Sequence, residues 1–497
     1  MKHRVRFAAI LLCVLATCVP VLAQNTSIHN PTWWAKYQYL SSHTSSPGAT
    51  GASLQVSSNV DVSNECGPQS ETFISLDPFH LSTLAAGSNE IFRLPMRGYF
   101  STDGGASWGG VDLPLPSAIG TNGFDFGSDP SLAFDTVGNT FYSYIVVFFS
   151  AGKGKQSING TEIAVAKSGD GGKTYPLVNF FSFSGGEDHF NDKPMITTDQ
   201  NAASRFRDNI YVAWDAAAGG STSGGIRVAT SRDHGASFAV VRADDPGGPG
   251  RSIGAVPFVG PDGVVYTAWN DIAANTIAFA RSSDGGTTWE RPSIVSTKTA
   301  GIDVAVPAES FRRALVYPAC DADRSSGAHR GRLYCSWMDL TPAGTTDIFL
   351  SFSDDQGTSW SKARTVADPL HVDRFNHWLS VDPATGDVSL SFYDTRNDTT
   401  GFRYQTDVYF TRSSDGGSTF LSPNVRVTDV SSNEHDCNGI FPCSGIDYGN
   451  QQGDYEGLVS SGGVAHPIWT DSRRQFEPST GCAVPLLMEE VFTATVK

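Results

Sequence analysis

The stretch Ser282-Ser-Asp284-Gly-Gly286-Thr-Thr-Trp289 carries a pattern, Ser-x-Asp-x-Gly-x-x-aromatic, that recurs along the chain and decides its fold. The other copies are Ser101-Thr-Asp103-Gly-Gly105-Ala-Ser-Trp108, Ser168-Gly-Asp170-Gly-Gly172-Lys-Thr-Tyr175, Ser231-Arg-Asp233-His-Gly235-Ala-Ser-Phe238, Ser353-Asp-Asp355-Gln-Gly357-Thr-Ser-Trp360 and Ser413-Ser-Asp415-Gly-Gly417-Ser-Thr-Phe420. From Asp to Asp the steps are 67, 63, 51, 71 and 60 residues. A motif that returns at such intervals indicates one supersecondary unit repeated around or along a fold.

Each copy has the chemistry of a tight turn between two strands. Asp and Ser side chains accept hydrogen bonds from the backbone of a turn, and glycine supplies the positive φ that hairpin turns need. We expect the closing aromatic residue to return to the sheet and pack between neighbouring units. The motif therefore predicts scaffolding, since turn chemistry explains it without a ligand.

The segments between the copies predict further strands. An apolar strand that ends near an Asp is followed by a strand with aromatic residues, as in Met195–Asp199 and Tyr211–Asp215; a third strand enters the motif and a fourth leaves it. Four antiparallel strands per unit make a propeller blade. The strand pairs number seven, and the last one lacks a fourth strand. We therefore predict an all-β, seven-bladed β-propeller over residues 53–497, with Asp boxes in six blades and with Leu54–Val62 closing the ring on the C-terminal blade.

The first 23 residues have the features of an export signal. Basic residues precede the apolar run Phe7–Val19, and Val21-Leu22-Ala23 gives a small-residue cleavage site. Residues 24–52 form a Ser/Thr/Gly-rich segment whose four aromatic residues either pack on the propeller or stack on a glycan. No later apolar run is long enough to span a bilayer. The sequence predicts a secreted protein, extracellular or periplasmic, that does not act at a membrane.

Charge and cysteine content narrow the partners and the compartment. The formal net charge is −16, and about −19 without the signal, which argues against a nucleic-acid partner because such partners require a basic surface. Of the 8 cysteines, six remain after the signal, and an even number in an exported chain suggests disulfides. We predict the pairs Cys320–Cys335, Cys437–Cys443 and Cys66–Cys482, although the sequence leaves other pairings open.

The candidate site lies on the face opposite the Asp-box turns. There the loops between blades, and those between second and third strands, converge on a central funnel. These loops are rich in arginine, which binds acidic sugars, and in carboxylates, which can act on a glycosidic bond. The predicted catalytic residues are Arg374, Arg396, Arg473, Tyr455, Glu456 and Asp192. The arginines would bind a substrate carboxylate, the tyrosine with the adjacent glutamate would form an activated nucleophile, and the aspartate would be the general acid. Alternatively, the repeated Asp–Arg pairs tie blades together.

The six Asp boxes, the export signal and the propeller resemble the sialidase (neuraminidase) superfamily and its bacterial Asp-box (BNR-repeat) relatives over nearly the whole mature chain. Phe92-Arg93-Leu94-Pro95 is similar to the family's Phe/Tyr-Arg-Ile-Pro motif, whose arginine joins a three-arginine clamp on the sialate carboxylate. The chain departs from the family in two respects: it has seven predicted blades where sialidases have six, and no Asp lies between Arg93 and Asp103, where the family's acid/base Asp is expected. The family's catalytic residues are therefore not carried over in full.

These observations predict a secreted, exo-sialidase-like glycoside hydrolase that acts on an acidic glycan as a monomer and needs no cofactor. One alternative is a non-catalytic propeller that binds a glycan or a protein on the same face. Another is a polysaccharide lyase, with His189, His377 or Tyr455 as its base. The stretch Asp321-Ala-Asp323-Arg-Ser325 has some likeness to a calcium loop but lacks the later Glu, so no metal is predicted.

Overall fold

The described residues form seven four-stranded antiparallel sheets, as the sequence predicts for a seven-bladed propeller. The structure is a computed structural model, and it describes residues 54–63, 69–90, 95–115, 126–152, 155–185, 190–216, 224–248, 250–309, 312–435, 452–473 and 489–497. In six of the sheets the strands lie side by side in chain order, from the first, innermost strand to the fourth, outermost one, whereas the seventh takes its outer strand from the N-terminal part of the chain. We number the sheets as blades 1 to 7.

The strands of the first four blades run in chain order. Blade 1 has Gln69–Leu76, Leu84–Glu90, Arg97–Ser101 and Gly109–Asp112. Blade 2 has Phe126–Phe134, Thr140–Gly152, Lys155–Ser168 and Leu177–Gly185. Blade 3 has Asn191–Thr198, Ile210–Ala216, Ile226–Ser231 and Ala239–Arg242. Blade 4 has Ser252–Val259, Val265–Asp271, Thr276–Ser282 and Ser293–Thr297.

Blades 5 to 7 and the connection before them contain elements in addition to the four strands of each blade. Blade 5 has Pro318–Ala322, Leu333–Leu340, Thr346–Ser353 and Arg364–Thr365, and blade 6 has Arg374–Val381, Val388–Asp394, Gln405–Ser413 and Val425–Arg426. Blade 7 has Gly457–Ser461, Val464–Asp471 and Glu490–Thr493, with Val60–Asp61 as its outer strand. Ser432–Asn433 also pairs with the third strand of blade 6. A small sheet, Asp303–Val304 with Ala314–Leu315, and the 3₁₀ helix Pro307–Glu309 lie in the connection from blade 4 to blade 5.

The two ends of the described chain meet in blade 7. Val60–Asp61 pairs antiparallel with the last strand, and Val56 forms a bridge with Val496. Blade 7 in turn packs against blade 1, where the Thr72 hydroxyl donates a hydrogen bond to the carbonyl of Ile468 at 3.1 Å. The outer edge of the last sheet is thus covered by the segment near the N-terminus, which removes an edge that would otherwise be open to pairing with another chain.

The six Ser-x-Asp-x-Gly turns share one set of hydrogen bonds. In blade 5, the Ser353 hydroxyl donates to Asp355 at 2.8 Å and accepts from the N–H of Gly357 at 2.9 Å. Asp355 also accepts from the N–H and the hydroxyl of Ser359, and these bonds lower its pKa to about 2. Gly357 has φ of +83°, which a side chain would make costly. The motif is fully explained by this turn.

The core lies between the sheets. The closing aromatic of one turn packs against the preceding blade: Phe238 of blade 3 stacks on Phe181 of blade 2 with ring centroids 4.9 Å apart, and Trp360 of blade 5 meets Phe279 of blade 4 edge-on at 5.4 Å. This packing is as predicted from the sequence. Each blade therefore buries its apolar faces only with help from its neighbours, as in other repeat folds.

Five of the innermost strands share an irregularity that positions the candidate site. Near the start of these strands, a β-bulge interrupts the pairing with the second strand. The bulge places one residue of each strand at positive φ: Glu71, Asp129, Lys193, Gly254 and Asn376. Positive φ is unfavourable for non-glycine residues by about 1 kcal/mol or more, and such strain concentrates at functional sites. A bulge also changes the direction in which side chains point.

The disulfide Cys320–Cys335 is present, which confirms that predicted pair. The other four predicted disulfide cysteines, Cys66, Cys437, Cys443 and Cys482, lie outside the described residues, as do the predicted signal and the Ser/Thr/Gly-rich segment. Within the described ranges, no helix is long and apolar enough to cross a membrane.

Candidate functional site

The bulges collect acidic side chains at one end of the propeller axis. The Asp-box turn of blade 1 bonds to its first-to-second-strand turn, through the N–H of Gly104 and the carbonyl of Ser82, so both turns share one face. The bulges lie at the other ends of the innermost strands, and hence on the opposite face. Their surroundings contain five carboxyl groups, which we call the axial cluster: Glu71, Asp129, Asp192, Asp215 and Asp454.

Arg312 connects two members of the axial cluster across the axis. Its guanidinium lies 2.9 Å from Glu71 of blade 1 and 2.5 Å from Asp454, which precedes blade 7. The Tyr317 hydroxyl donates to the second oxygen of Asp454 at 3.3 Å. On the other side, Glu71 accepts from Asn89 at 2.7 Å. The Asp454 carboxylate is therefore held in place by one cation and one hydroxyl, and its side chain is 14% exposed.

Asp129 lies between two other carboxyl groups. It is within hydrogen-bonding distance of both Glu71 and Asp192, an arrangement that requires shared protons. Burial, followed by the charge of Asp129, raises the pKa of Glu71 and of Asp192 well above the usual range. The backbone N–H of Lys193 donates to Asp129 at 2.9 Å, so the strained bulge fixes this acidic group. Unlike Glu71, the residue Asp192 is partly exposed.

Lys193 places its ammonium group under the axial cluster. The side chain is 1% exposed, and Nζ lies 3.3 Å from the ring centroid of Tyr317 and 4.3 Å from that of Tyr455. No described residue accepts a hydrogen bond from Nζ. Burial lowers the pKa of Lys193 to about 8, although Asp454 and Glu71 oppose that shift. The ammonium is stabilised by ring faces and by the nearby carboxylates.

Asp215 completes the axial cluster from the end of the second strand of blade 3. One oxygen accepts from the N–H of Gly254 at 2.6 Å, and the other has no hydrogen-bond donor among the described residues. Burial raises the pKa of Asp215 to about 7, while Gly254 and Lys193 oppose that shift. At mildly acidic pH, Asp215 is therefore protonated and can donate as well as accept a hydrogen bond.

The predicted arginine clamp has other partners in the structure. Arg374 is fully buried and pairs with Asp347 at 3.0 Å and with Asp394 at 2.8 Å. Arg396 pairs with the same Asp394 at 2.6 Å and with Asp368 at 2.6 Å, and it stacks on a tyrosine ring. Both guanidinium groups thus tie blade 6 to blade 5 or to the connection before blade 6, and their side chains are 0% and 10% exposed.

Arg473 repeats the arrangement of Arg396 one blade further on. It pairs with Asp471 at 2.6 Å, binds Asp429 in the preceding connection, and lies over the Phe492 ring at 4.2 Å. It also donates to the side-chain oxygen of Asn59, just before the outer strand, at 2.9 Å. In both Asp-x-Arg turns, the arginine therefore links its own blade to the chain segment that connects this blade to the preceding one. This matches the alternative interpretation, in which the Asp–Arg pairs stabilise the fold and do not bind a substrate carboxylate. The predicted carboxylate-binding role stays a prediction without geometric support.

Tyr455 and Glu456 are adjacent in the chain but contact different groups. The Tyr455 hydroxyl donates to the carbonyl of Pro130 at 3.1 Å, and burial with the nearby Glu71 raises its pKa well above the usual value. Such a tyrosine is a poor nucleophile. Glu456 is fully buried, and neither carboxyl oxygen has a hydrogen-bond partner among the described residues. The structure therefore gives no contact between them that would activate the tyrosine, and only Asp192 of the predicted catalytic residues lies at the axial cluster with partial exposure.

The other sequence candidates divide into buried groups and groups outside the described ranges. His377 is 5% exposed, bonds to the Ser336 hydroxyl at 2.8 Å, and has its pKa lowered to about 3 by burial. It is thus unsuited to act as a lyase base. Asp321 pairs with Arg324, and no described set of side chains could hold a metal ion. His189 and Arg93 lie outside the described residues.

The sequence analysis did not predict that four residues would lie together: Glu71, Asp129, Lys193 and Asp454. For the first three, the sequence does contain a pattern that indicates their common position. When the blades are aligned on the Asp that ends the innermost strand, Glu71, Asp129 and Lys193 each stand six residues before it. A recurring ionisable residue at a position where strands are normally apolar marks a place of special geometry. Asp454 has no such signal, because it lies in a connection.

The seven blades and the axial cluster define the chain as a β-propeller with a polar site at one end of its axis. No family model matches the chain, and no curated protein sequence matches it. Among solved structures, it is similar to a leech intramolecular trans-sialidase, with 13% identity and a TM-score of 0.45 over 74% of this chain and 70% of that one. It is also similar to a sialidase of Streptococcus pneumoniae, with 10% identity and a TM-score of 0.46 over 73% of this chain and 70% of that one. A third similar structure is an α-L-arabinofuranosidase of Fusarium graminearum, with 14% identity and a TM-score of 0.42 over 72% of this chain and 98% of that one.

Proposed function

We propose that the chain is a secreted glycoside hydrolase that cleaves a glycan at the axial cluster, with Asp192 as general acid. The observation that carries this proposal is the pair formed by Asp192 and Asp454, two partly exposed carboxyl groups in different environments. Asp192 lies against another carboxyl group, whereas Asp454 is paired with Arg312. Glycoside hydrolases use two carboxyl groups, one kept protonated and one ionised, and such contrasting environments assign the roles.

In this mechanism Asp192 donates its proton to the oxygen that leaves with the aglycone. Burial, Asp129 and Asp454 all raise the pKa of Asp192, which keeps the proton available above the usual range. Asp454, oriented by Arg312 and Tyr317, acts on the opposite side of the sugar ring, either as the nucleophile or as the base that activates water. If Asp454 is the nucleophile, Asp192 recovers its proton from the water that hydrolyses the glycosyl ester on Asp454. If Asp454 is the base, it accepts that proton and releases it to solvent, and Asp192 is reprotonated from solvent.

Two other features support parts of the proposal. The Cys320–Cys335 disulfide fits an oxidising compartment, and hence export. The location of the axial cluster at the end of the axis fits the usual position of ligand sites where many loops converge. The sequence predicts an acidic substrate because of its arginines, but Arg374, Arg396 and Arg473 are engaged in ion pairs. The proposal therefore rests on carboxyl chemistry alone.

The test is hydrolysis of fluorogenic glycosides by the purified full chain. The panel contains a sialoside, a glucuronide, an arabinofuranoside and neutral hexosides. We expect release from at least one substrate, a loss of at least about 100-fold with Asp192→Asn, since general acid catalysis contributes on that scale, and little change with the control Asp271→Asn. Asp271 ends a second strand as Asp215 does but lies outside the axial cluster. Activity that survives Asp192→Asn unchanged would contradict the assignment.

A further inference from the structure

Two neighbouring turns on the Asp-box face expose apolar side chains. Phe79 and Leu81, in the first-to-second-strand turn of blade 1, are 60% and 47% exposed, and Val137, in the equivalent turn of blade 2, is 66% exposed. We call these three residues the turn patch. The two turns adjoin, because Gly138 lies next to the carboxylate of Asp77. The other large apolar side chains that are exposed in the described part of the chain lie on outer strands or in the connection after blade 6. A cluster of exposed apolar side chains indicates a contact surface.

The described chain begins on the same face, close to the turn patch. Val496 pairs with Val56 on one side and with Ala465 on the other, so Val56 lies two strand spacings, about 10 Å, from Ala465. Ala465 follows the first-to-second-strand turn of blade 7, whose Gly462 lies against Leu81. The chain that precedes residue 54 therefore starts within a few strand spacings of the turn patch.

The surroundings of the turn patch are acidic. The Asp-box turn of blade 1 bonds to the blade 1 turn of the patch, and Gly171 in the Asp-box turn of blade 2 lies against Thr83 at the end of that turn. The side chains of Asp103 and Asp170 in these Asp boxes are exposed. Hydrogen bonds from Ser107 lower the pKa of Asp103 to about 2, so this carboxylate is ionised. A segment that covers the turn patch is therefore expected to be apolar and not acidic.

The segment of residues 24–53 has this composition, and it lies outside the described residues. It has one basic side chain of the lysine or arginine type, Lys36, and no acidic residue. The 15 residues from Tyr39 to Leu54 span about 20 Å as a flexible chain, which is enough to reach the turn patch from the start of the described chain. Being part of the same chain also gives the segment a high effective concentration at the surface. Its large aromatic residues are Trp33, Trp34, Tyr37 and Tyr39.

We propose that residues 24–53 bind across the Asp-box face through their aromatic side chains, and that the turn patch is the surface that they contact. Of the two roles that the sequence leaves open for these rings, the inference selects packing on the propeller over stacking on a glycan. Blade 7 is the blade without an Asp-box turn, since its third and outer strands come from opposite ends of the chain. The segment would thus reinforce the closure of the ring beyond the pairing of Val60–Asp61. The inference concerns the face opposite the axial cluster and does not depend on the proposed hydrolase.

The experiment measures the rate at which trypsin cleaves the full chain after Lys36. Mass spectrometry quantifies the N-terminal fragment that ends at this residue, and each rate is divided by that of a free peptide with the same sequence over residues 24–53. We expect the wild-type chain to be cleaved at least about fivefold more slowly than the peptide. Cleavage requires the segment to leave the surface, and an apolar contact of this size lowers the released fraction by about that factor.

Variants on the two sides of the contact sharpen the test. Phe79→Ser combined with Leu81→Ser should bring the relative rate up to that of the peptide, and Trp33→Ser combined with Trp34→Ser should do the same. All four changes together should add nothing further, because both pairs remove one interaction. The matched control is Leu177→Ser, which replaces a side chain that is 62% exposed on the outer strand of blade 2 and should leave the rate unchanged.

The other possible occupants give different results. Protection that rises with protein concentration would mean that a second copy covers the turn patch, and protection that appears after a glycan is added would mean that the rings stack on sugar. Either result overturns the inference. Cleavage of the wild-type chain at the rate of the free peptide, or equal rates in the wild-type chain and the Phe79→Ser, Leu81→Ser variant, would overturn it as well.

Discussion

Glu456 offers a prediction whose size follows from its surroundings. The side chain is fully buried, and the Ser391 hydroxyl lies near its carboxyl group without hydrogen-bond geometry. Burial raises the pKa of Glu456 well above the usual value, so the folded protein keeps this group protonated while the unfolded chain releases the proton above about pH 4.3. Folding stability is therefore complete below that pH and falls by about 1.4 kcal/mol per pH unit above it, until the folded pKa is reached.

Glu456→Gln replaces the protonated acid with a neutral group of the same shape. We expect no gain in stability at about pH 4, and a gain of up to about 3.7 kcal/mol at pH 7, because pH 7 lies about 2.7 pH units above the pKa of the glutamate in the unfolded chain. The assay is urea denaturation at four pH values between 4 and 7. Turnover should persist, since this carboxyl group lies away from the axial cluster.

The matched control is Glu290→Gln. The Glu290 side chain is 52% exposed and pairs with Arg281 at the surface. Its replacement should give a small and nearly constant change across the same pH range. A difference between Glu456→Gln and wild type that does not grow with pH would refute the reasoning, because it would mean that the buried carboxyl group is ionised in the folded protein. Loss of turnover would instead restore the catalytic role that the sequence predicts.

Three further changes test the turns, the ties and the axial cluster. Asp355→Asn should lower the thermal midpoint at pH 7 but not at pH 2. The pKa of Asp355 in the folded protein is about 2, so the stabilisation by its charge is complete above about pH 4 and is lost as the pH falls to 2. Asp354→Asn serves as the control. Arg473→Ala should destabilise the fold by about 3 kcal/mol in urea denaturation, since it leaves the buried Asp471 without its cation. Relative to wild type, Lys193→Met should lose thermal stability as the pH rises from 5 to 7.5, because Asp215, whose pKa of about 7 is held down by Lys193, ionises over this range without its cation.

Each of these has a result that would count against it. An equal effect of Asp355→Asn at both pH values would show that the turn does not depend on the charge. If Arg473→Ala costs no more than Arg313→Ala, whose guanidinium is 45% exposed, the tie is only a surface ion pair. A pH-independent effect of Lys193→Met would mean that packing against the rings, not charge, is what this residue contributes.

The fold could be predicted from the sequence because its information is local and repeated. The Ser-x-Asp-x-Gly turns specify hairpins through their own side chains, as Ser353 and Asp355 show, and strand alternation supplies the rest. The seventh blade, which lacks the motif, was still recognisable from its strand pair, and the outer strand at Val60–Asp61 pairs with the last strand as its sequence suggests. Because the same turn and strand pattern recurs in blade after blade, each copy supports the assignment of the others.

The site was harder to predict because it depends on which loop residues meet in space. Arg374 begins the first strand of blade 6 and Arg396 follows its second strand, yet both pair with Asp394 of the same blade, and the sequence does not show that pairing. A β-bulge sets the direction of three side chains of the axial cluster, those of Glu71, Asp129 and Lys193. The alternation of apolar and polar residues along a strand does not predict where a bulge occurs. Asp192 lies at the axial cluster, on the face to which the sequence assigned it, and its catalytic role stays a prediction.

The most direct test of the axial site is a crystal structure of the Asp192→Asn variant soaked with an oligosaccharide that contains the sugar released by the wild-type chain. The account predicts electron density for sugar at the end of the axis, with hydroxyl groups in hydrogen-bonding contact with Asp454 and Arg312. Sugar bound only elsewhere, for example along the outer strands or at the Asp-box turns, would contradict it.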